Sequence, residues 1–129
     1  MKKILLVEDE YFIRDTIKSS LESWGCDVVE AENGVRAYEL FEQEVKGTYF
    51  AIISDMRMPH MSGLGLCQAL NRRYTDVPPT LIHSSDSSYQ NEGSTIELVK
   101  LKEWFAFVKE VHLKSRDLSY LKQFLDSST

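Results

Sequence analysis

Two apolar runs, Ile4-Leu5-Leu6-Val7 and Phe50-Ala51-Ile52-Ile53, lead into acidic residues: Glu8 and Asp9 follow the first, and Asp55 follows the second. Short, continuous apolar runs of this kind read as strands buried on both faces, the signature of a parallel sheet covered by helices. In an open α/β sheet the carboxyl ends of the strands are where ligands bind. Glu8, Asp9 and Asp55 are therefore expected at one place. Carboxylates gathered closely repel unless a cation lies among them. A hard divalent metal with oxygen ligands is the natural cation, leaving one carboxylate free for chemistry.

The rest of the chain alternates strand and helix. Lys3 to Val7 is the first strand. Ile13, Ile17, Leu21 and Trp24 repeat at helical spacing over about Tyr11 to Trp24, and Gly25 is a natural stop. A short strand follows over Asp27 to Ala31. Asn33 is a candidate N-cap for a second helix with Ala37, Leu40, Phe41 and Val45 on one face. Tyr49 to Ser54 is the third strand. Ser62 is placed to cap a third helix carrying Leu66, Ala69 and Leu70, which Asp76-Val77-Pro78-Pro79 ends. Thr80 to His83 is the fourth strand, leading into Ser84-Ser85. Between Asp86 and Leu113 two readings stand. Ile96, Val99, Leu101, Trp104, Phe105 and Val108 fit a helix, while Phe105 to Val108 or Val111-His112-Leu113 fit a fifth strand. Ser115 is expected to cap a last helix with Leu118, Leu121, Phe124 and Leu125 on one face. This repeated alternation predicts a parallel sheet with helices on both sides.

The 129 residues suffice for one domain with a real core. A net charge of −5 argues against nonspecific nucleic-acid binding, which needs a basic face. The apolar stretch near Met1 is too short for a secretory signal and ends in acids. No segment reaches membrane-spanning length. Cys26 and Cys67 have neither metal-site nor redox-motif spacing, so reduced core thiols and a cytoplasmic location are expected. His60, His83 and His112 are scattered and form no zinc-ligand pair. Trp104, Phe105 and Phe107 read as core.

Four stretches carry a resemblance: Leu5-Leu6-Val7-Glu8-Asp9-Glu10; Ala31-Glu32-Asn33-Gly34 with Ala37; Ile53-Ser54-Asp55-Met56-Arg57-Met58-Pro59 with Met61-Ser62-Gly63; and the strand ending at Ser84. In this order and spacing the chain resembles a response-regulator receiver domain of two-component signalling. The resemblance implies a flavodoxin-like, doubly wound α/β fold, with five parallel strands in the order 2-1-3-4-5. It implies a single receiver domain over residues 1–129 with no attached output domain. Asp55 would be the phosphoacceptor. Asp9, Glu8 and the backbone carbonyl of Arg57 would join Asp55 around Mg²⁺. Ser84 would donate its hydroxyl to a phosphoryl oxygen, and a lysine after the last strand would pair with the same group.

Neither candidate lysine has the proline that usually follows in the family. Lys109 lies nearer the usual distance from Ser84. Lys114 is favoured because the helix after it then needs no insertion. The family's Gly-Ala near the end of helix 4 is absent. Val111 or His112 stands near the usual aromatic switch residue, so an altered hydroxyl–aromatic switch is expected. Arg57 and Asp86 stand two residues past Asp55 and Ser84, where opposite charges can pair across the site entrance.

The implied partners are a histidine kinase or histidine phosphotransfer protein, and a downstream protein on the helix 4–strand 5–helix 5 face. Dimerisation on phosphorylation is a further route. No external turnover is expected beyond Mg²⁺-dependent self-phosphorylation from small donors and self-dephosphorylation. Three other readings carry less weight. An aspartate-nucleophile phosphatase wants an acid where Arg57 stands. A nucleotide or flavin module wants a phosphate loop where Glu8-Asp9-Glu10 stands. A degenerate receiver would bind partners without phosphorylation.

Overall fold

The computed structural model describes residues 1–128; Thr129, the last residue of the expected domain, lies outside the described residues. Five strands form the main sheet: β1 (Lys2–Val7), β2 (Cys26–Ala31), β3 (Ala51–Asp55), β4 (Thr80–Ser84) and, late in the chain, β7 (Val108–Leu113). Their order is β2-β1-β3-β4-β7, and every pairing is parallel. This is the expected receiver topology, with β7 as the fifth strand.

The period-2 alternation of each strand divides the core into two layers. Ile4 and Leu6 of β1, with Ile53 and Leu81, pack against α1 (Tyr11–Ser23) and α5 (Ser119–Ser127) through Ile17, Leu21, Leu121 and Phe124. Leu5 and Val7, with Ile52 and Ile82, face the other way. They meet α2 (Gly34–Gln43), α3 (Gly63–Arg73) and the short α4 (Lys100–Trp104) through Ala37, Leu66, Leu70 and Leu101. Both faces are thus covered, which is why the central strands β1 and β3 carry the continuous apolar runs Ile4-Leu5-Leu6-Val7 and Ala51-Ile52-Ile53.

Two caps stand where expected: Asn33 Oδ1 accepts from Arg36 N at 2.8 Å, and Ser62 Oγ accepts from Gly65 N at 3.1 Å. Ser115 does not cap α5. Its Oγ accepts from Asp117 N at 3.2 Å, Asp117 in turn accepts from Ser119 N at 2.9 Å, and the helix starts one turn later than expected. Val45 lies past the end of α2 and is 80% exposed, so it leaves the apolar stripe.

In the ambiguous segment β7 takes in the Val111-His112-Leu113 candidate for the fifth strand, but the residues before it form something neither reading contained. Residues 88–97 form an antiparallel hairpin, β5 (Ser88–Asn91) with β6 (Ser94–Glu97), and only five helical residues follow in α4. Tyr89 and Ile96 pair directly across it and pack on the core, while Gln90 and Thr95 point outward. The strand alternation of Tyr89, and its partner Ile96 across a two-residue turn, outweighed the loose helical spacing of Ile96, Val99 and Leu101. Phe105 and Phe107 are buried as expected, but Trp104 is half exposed and is not core. Cys26 and Cys67 are free and buried. No described helix is long and apolar enough to cross a membrane.

Candidate functional site: an acid cluster at the strand ends

β1, β3, β4 and β7 all finish at one edge of the sheet. Beyond β1, Glu8 N donates to Ala31 O of β2 at 3.0 Å, which keeps Glu8 in the ladder and fully buried. Asp9 follows it and is exposed. β3 ends with Asp55, 4% exposed and in register with His83 of β4. The loop after it turns back at once: Gly63 N donates to Met56 O at 2.7 Å, and a Cβ at Gly63 would lie 2.6 Å from the Asp55 carbonyl oxygen. β4 ends with buried Ser84, whose carbonyl accepts from Lys114 N at 2.8 Å.

Carboxylate oxygens of Glu8, Asp9 and Asp55 lie within 4.8 Å of one another, as the sequence pattern predicts. Lys114 Nζ reaches into this cluster, 2.8 Å from Glu8 Oε1 and 3.0 Å from Asp55 Oδ2. Lys109 is elsewhere. The register slips between Thr80, which pairs with Val108, and Leu81, which pairs with Glu110; Lys109 is the skipped, exposed residue at the far end of the sheet. That bulge absorbs an added residue between Ser84 and Lys114.

Burial governs the electrostatics. Desolvation raises the Glu8 carboxyl to about 7, against the neighbouring Lys114 ammonium, and the Asp55 charge pushes it the same way. Asp55 is raised by the same burial, again opposed by Lys114. Burial disfavours the Lys114 cation too, but Glu8 and Asp55 outweigh it and hold the ammonium above its ordinary value. Glu8 Oε1 is buried and its charge is met by the Lys114 ammonium at 2.8 Å. An all-oxygen donor set suits Mg²⁺, which prefers hard oxygen ligands.

The entrance is a small cavity of about 210 Å³, lined by Asp9, Asp55, Arg57, Ser84, Ser85 and Lys114 among others. Arg57, on its lining, pairs through Nη2 with Asp86 Oδ2 at 3.0 Å, both side chains more than half exposed. Asp86 N also donates to Ser84 Oγ at 3.3 Å. A larger cavity of about 520 Å³, near Phe41, Tyr49 and Pro78, holds none of these strand-end residues.

Two neighbours were not legible in the sequence. His83 is buried beneath the site with Nδ1 2.8 Å from the Tyr120 hydroxyl. Arg14 Nη1 donates to the Glu8 carbonyl oxygen at 2.8 Å. Only the position of Arg14, one turn beyond the acidic triplet, hinted at such a contact.

Residues 4–113 match the response regulator receiver domain family. The chain is 39% identical over 77 residues to the probable transcriptional regulator ycf27 of Guillardia theta, covering 60% of this chain and 29% of that protein. It is 36% identical over 81 residues to the response regulator receiver protein CpdR of Brucella abortus, covering 63% of this chain and 62% of that one. The chain thus spans less than two thirds of the length of either relative. The response regulator TrrA of Thermotoga maritima, solved with Mg²⁺-BeF, is similar over 100% of both chains, with a TM-score of 0.81 and 28% identity. A structure of TrrA in complex with the histidine kinase ThkA is also similar, with a TM-score of 0.76 and 28% identity, over 99% of this chain and 98% of that one. Strand order, strand-end acids and a match running from β1 through β7 lead to one conclusion: the chain belongs to the response regulator receiver domain family.

Proposed function

We propose that this chain accepts a phosphoryl group on Asp55 from a histidine kinase or phosphotransfer protein, and signals by protein binding that phosphorylation controls. The observation that carries this reading is the convergence of Lys114 on Glu8 and Asp55 beside Asp9. Glu8, Asp9, Asp55 and the Arg57 carbonyl would hold Mg²⁺. That ion would neutralise the acids and orient the incoming phosphoryl group. An Asp55 oxygen forms the new bond to phosphorus as the donor's phosphorus–nitrogen bond breaks; from a small acyl phosphate, a phosphorus–oxygen bond breaks instead. Lys114, already 3.0 Å from Asp55, is placed to pair with a phosphoryl oxygen. Ser84 Oγ accepts from Asp86 N and keeps its own proton to donate. The product is an acyl phosphate on Asp55. No external substrate is turned over.

The TrrA–ThkA complex supports a kinase as donor, because this chain is similar to TrrA along its whole length. The Arg57–Asp86 pair would restrict the water that hydrolyses the acyl phosphate.

Incubating the protein with Mg²⁺ and acetyl phosphate, followed by intact mass, tests the reading. A phosphoryl mass gain that disappears in Asp55→Asn supports it. No gain, together with no fluorescence response to beryllofluoride, would replace it with phosphorylation-independent partner binding. Arg57→Ala and Asp86→Ala are each expected to change the half-life of the phosphorylated form. An unchanged half-life in both would remove the pair from the mechanism.

A further inference from the structure

Arg14 has no part in the chemistry above, yet its guanidinium is held on three sides. Nη1 donates to the Glu8 carbonyl oxygen at 2.8 Å, and Nε donates to Glu30 Oε1 on β2 at 3.2 Å. The Tyr11 ring lies 5.7 Å from its central carbon. The side chain is only 16% exposed. Lys18 Nζ pins the other Glu30 oxygen at 3.1 Å.

The consequence lies in the Glu8–Asp9 peptide. This unit is planar and rigid. The Glu8 N–H is already held by Ala31 O, so both backbone polar groups of Glu8 are anchored, one to β2 directly and one through Arg14. Fixing the carbonyl oxygen sets the plane from which the Asp9 backbone departs, and so narrows the directions open to the Asp9 side chain. The job needs a planar fork that can serve a carbonyl and a carboxylate at once, which arginine offers and lysine does not.

We infer that Arg14 is a positioning residue that clamps the Glu8–Asp9 peptide to β2, so that the Glu8 and Asp9 carboxylates converge on a divalent cation. The inference rests on the reading of those acids as Mg²⁺ ligands.

Charge and geometry give opposite signs here, which makes the inference sharp. As a nearby cation, Arg14 opposes Mg²⁺ binding, so deleting its charge alone would tighten binding. As a clamp it favours binding, so deleting it weakens binding. Residues that orient metal ligands typically change affinity by about 10- to 100-fold.

Titration calorimetry of the whole protein with MgCl₂ separates the two. Arg14→Met, which keeps most of the stem, is expected to bind about tenfold more weakly. Arg14→Lys keeps the charge and is expected to weaken binding as well. Lys18→Met removes a cation from the same Glu30 without touching Glu8, and is expected to bind as the parent or more tightly. In the Mg²⁺-free protein, the Asp9 and Glu10 backbone amide shifts should move in Arg14→Met and stay in Lys18→Met. Equal or tighter Mg²⁺ binding by Arg14→Met overturns the clamp. Should Arg14→Met not fold, Glu30→Leu removes the acceptor at the far end of the clamp and is expected to weaken binding several-fold; unchanged affinity there overturns it equally. Asp9→Asn tests the underlying metal reading by itself: if it binds Mg²⁺ like the parent, that reading fails whatever Arg14 does.

Discussion

Lys114 supplies a cation to the buried acids Glu8 and Asp55. It contacts Glu8 and Asp55 at 2.8 and 3.0 Å, which partly offsets the desolvation of both. Replacing it by methionine removes the only ammonium at this pair among the described residues. In Mg²⁺-free buffer Lys114→Met is expected to be destabilised by about 1–3 kcal/mol, the cost of leaving a buried acceptor unpaired. Mg²⁺ should bind Lys114→Met more tightly, because the ammonium no longer competes for the same oxygens. Urea unfolding without Mg²⁺ and calorimetry with it check both halves. His83 poses the opposite problem. Burial first, then the Lys114 and His112 charges, push its imidazole down to about 3 from an ordinary 6.5. The unfolded chain therefore takes up a proton that the folded one refuses. The stability from neutral His83 is fully present above about pH 6.5 and is lost as pH falls toward 3. His83→Leu is expected to flatten this acid limb, as read from urea midpoints at pH 7 and pH 4.5.

Among the elements, the loop after β3 and the hairpin each turn on a glycine. A Cβ at Gly63 would meet the Asp55 carbonyl oxygen at 2.6 Å and the Met56 Cα at 3.0 Å. Both are backbone atoms and cannot step aside. Gly63→Ala is expected to cost about 1–3 kcal/mol, as overpacking does. It should also slow phosphorylation from acetyl phosphate by displacing the end of β3; unfolding curves and the mass assay report the two effects separately. At the hairpin tip, Glu92 and Gly93 have φ of 50° and 82°. A two-residue hairpin loop with positive φ at both positions favours Asn-Gly. Glu92→Asn is therefore expected to raise the melting temperature, by a stabilisation of up to about 1 kcal/mol. The hairpin carries little signal in the sequence. Its strands are four residues each, and half their side chains are solvated. No continuous apolar run announces them, and the surrounding Ile96, Val99 and Leu101 also fit a helical face.

For the whole molecule, the acid cluster links stability to pH and to metal. The folded state holds the Glu8 proton to about 7, while the unfolded chain releases it near 4.5. The contribution of protonated Glu8 is fully present below about 4.5 and declines as pH rises through 7. A bound cation reverses that penalty by stabilising the ionised carboxylates. Saturating Mg²⁺ is thus expected to raise the melting temperature more at pH 8 than at pH 5. Equal shifts at the two values would separate metal binding from Glu8 ionisation.

The sequence alone determined the parallel sheet and the meeting of Glu8, Asp9, Asp55 and Ser84, while the order of its strands came only with the family resemblance. Continuous apolar strands must be covered on both faces, and strands that all run one way bring their polar ends to one edge. The helix that follows favoured Lys114 over Lys109 in the sequence, and the tertiary structure supplied the reason, a bulge against β4 that has no local signature. The tertiary structure alone decided the hairpin, the half-exposed Trp104 and the contacts of Arg14 with Glu8 and Glu30. Each of these depends on partners distant in the chain, where packing and long-range hydrogen bonds override what neighbouring residues prefer.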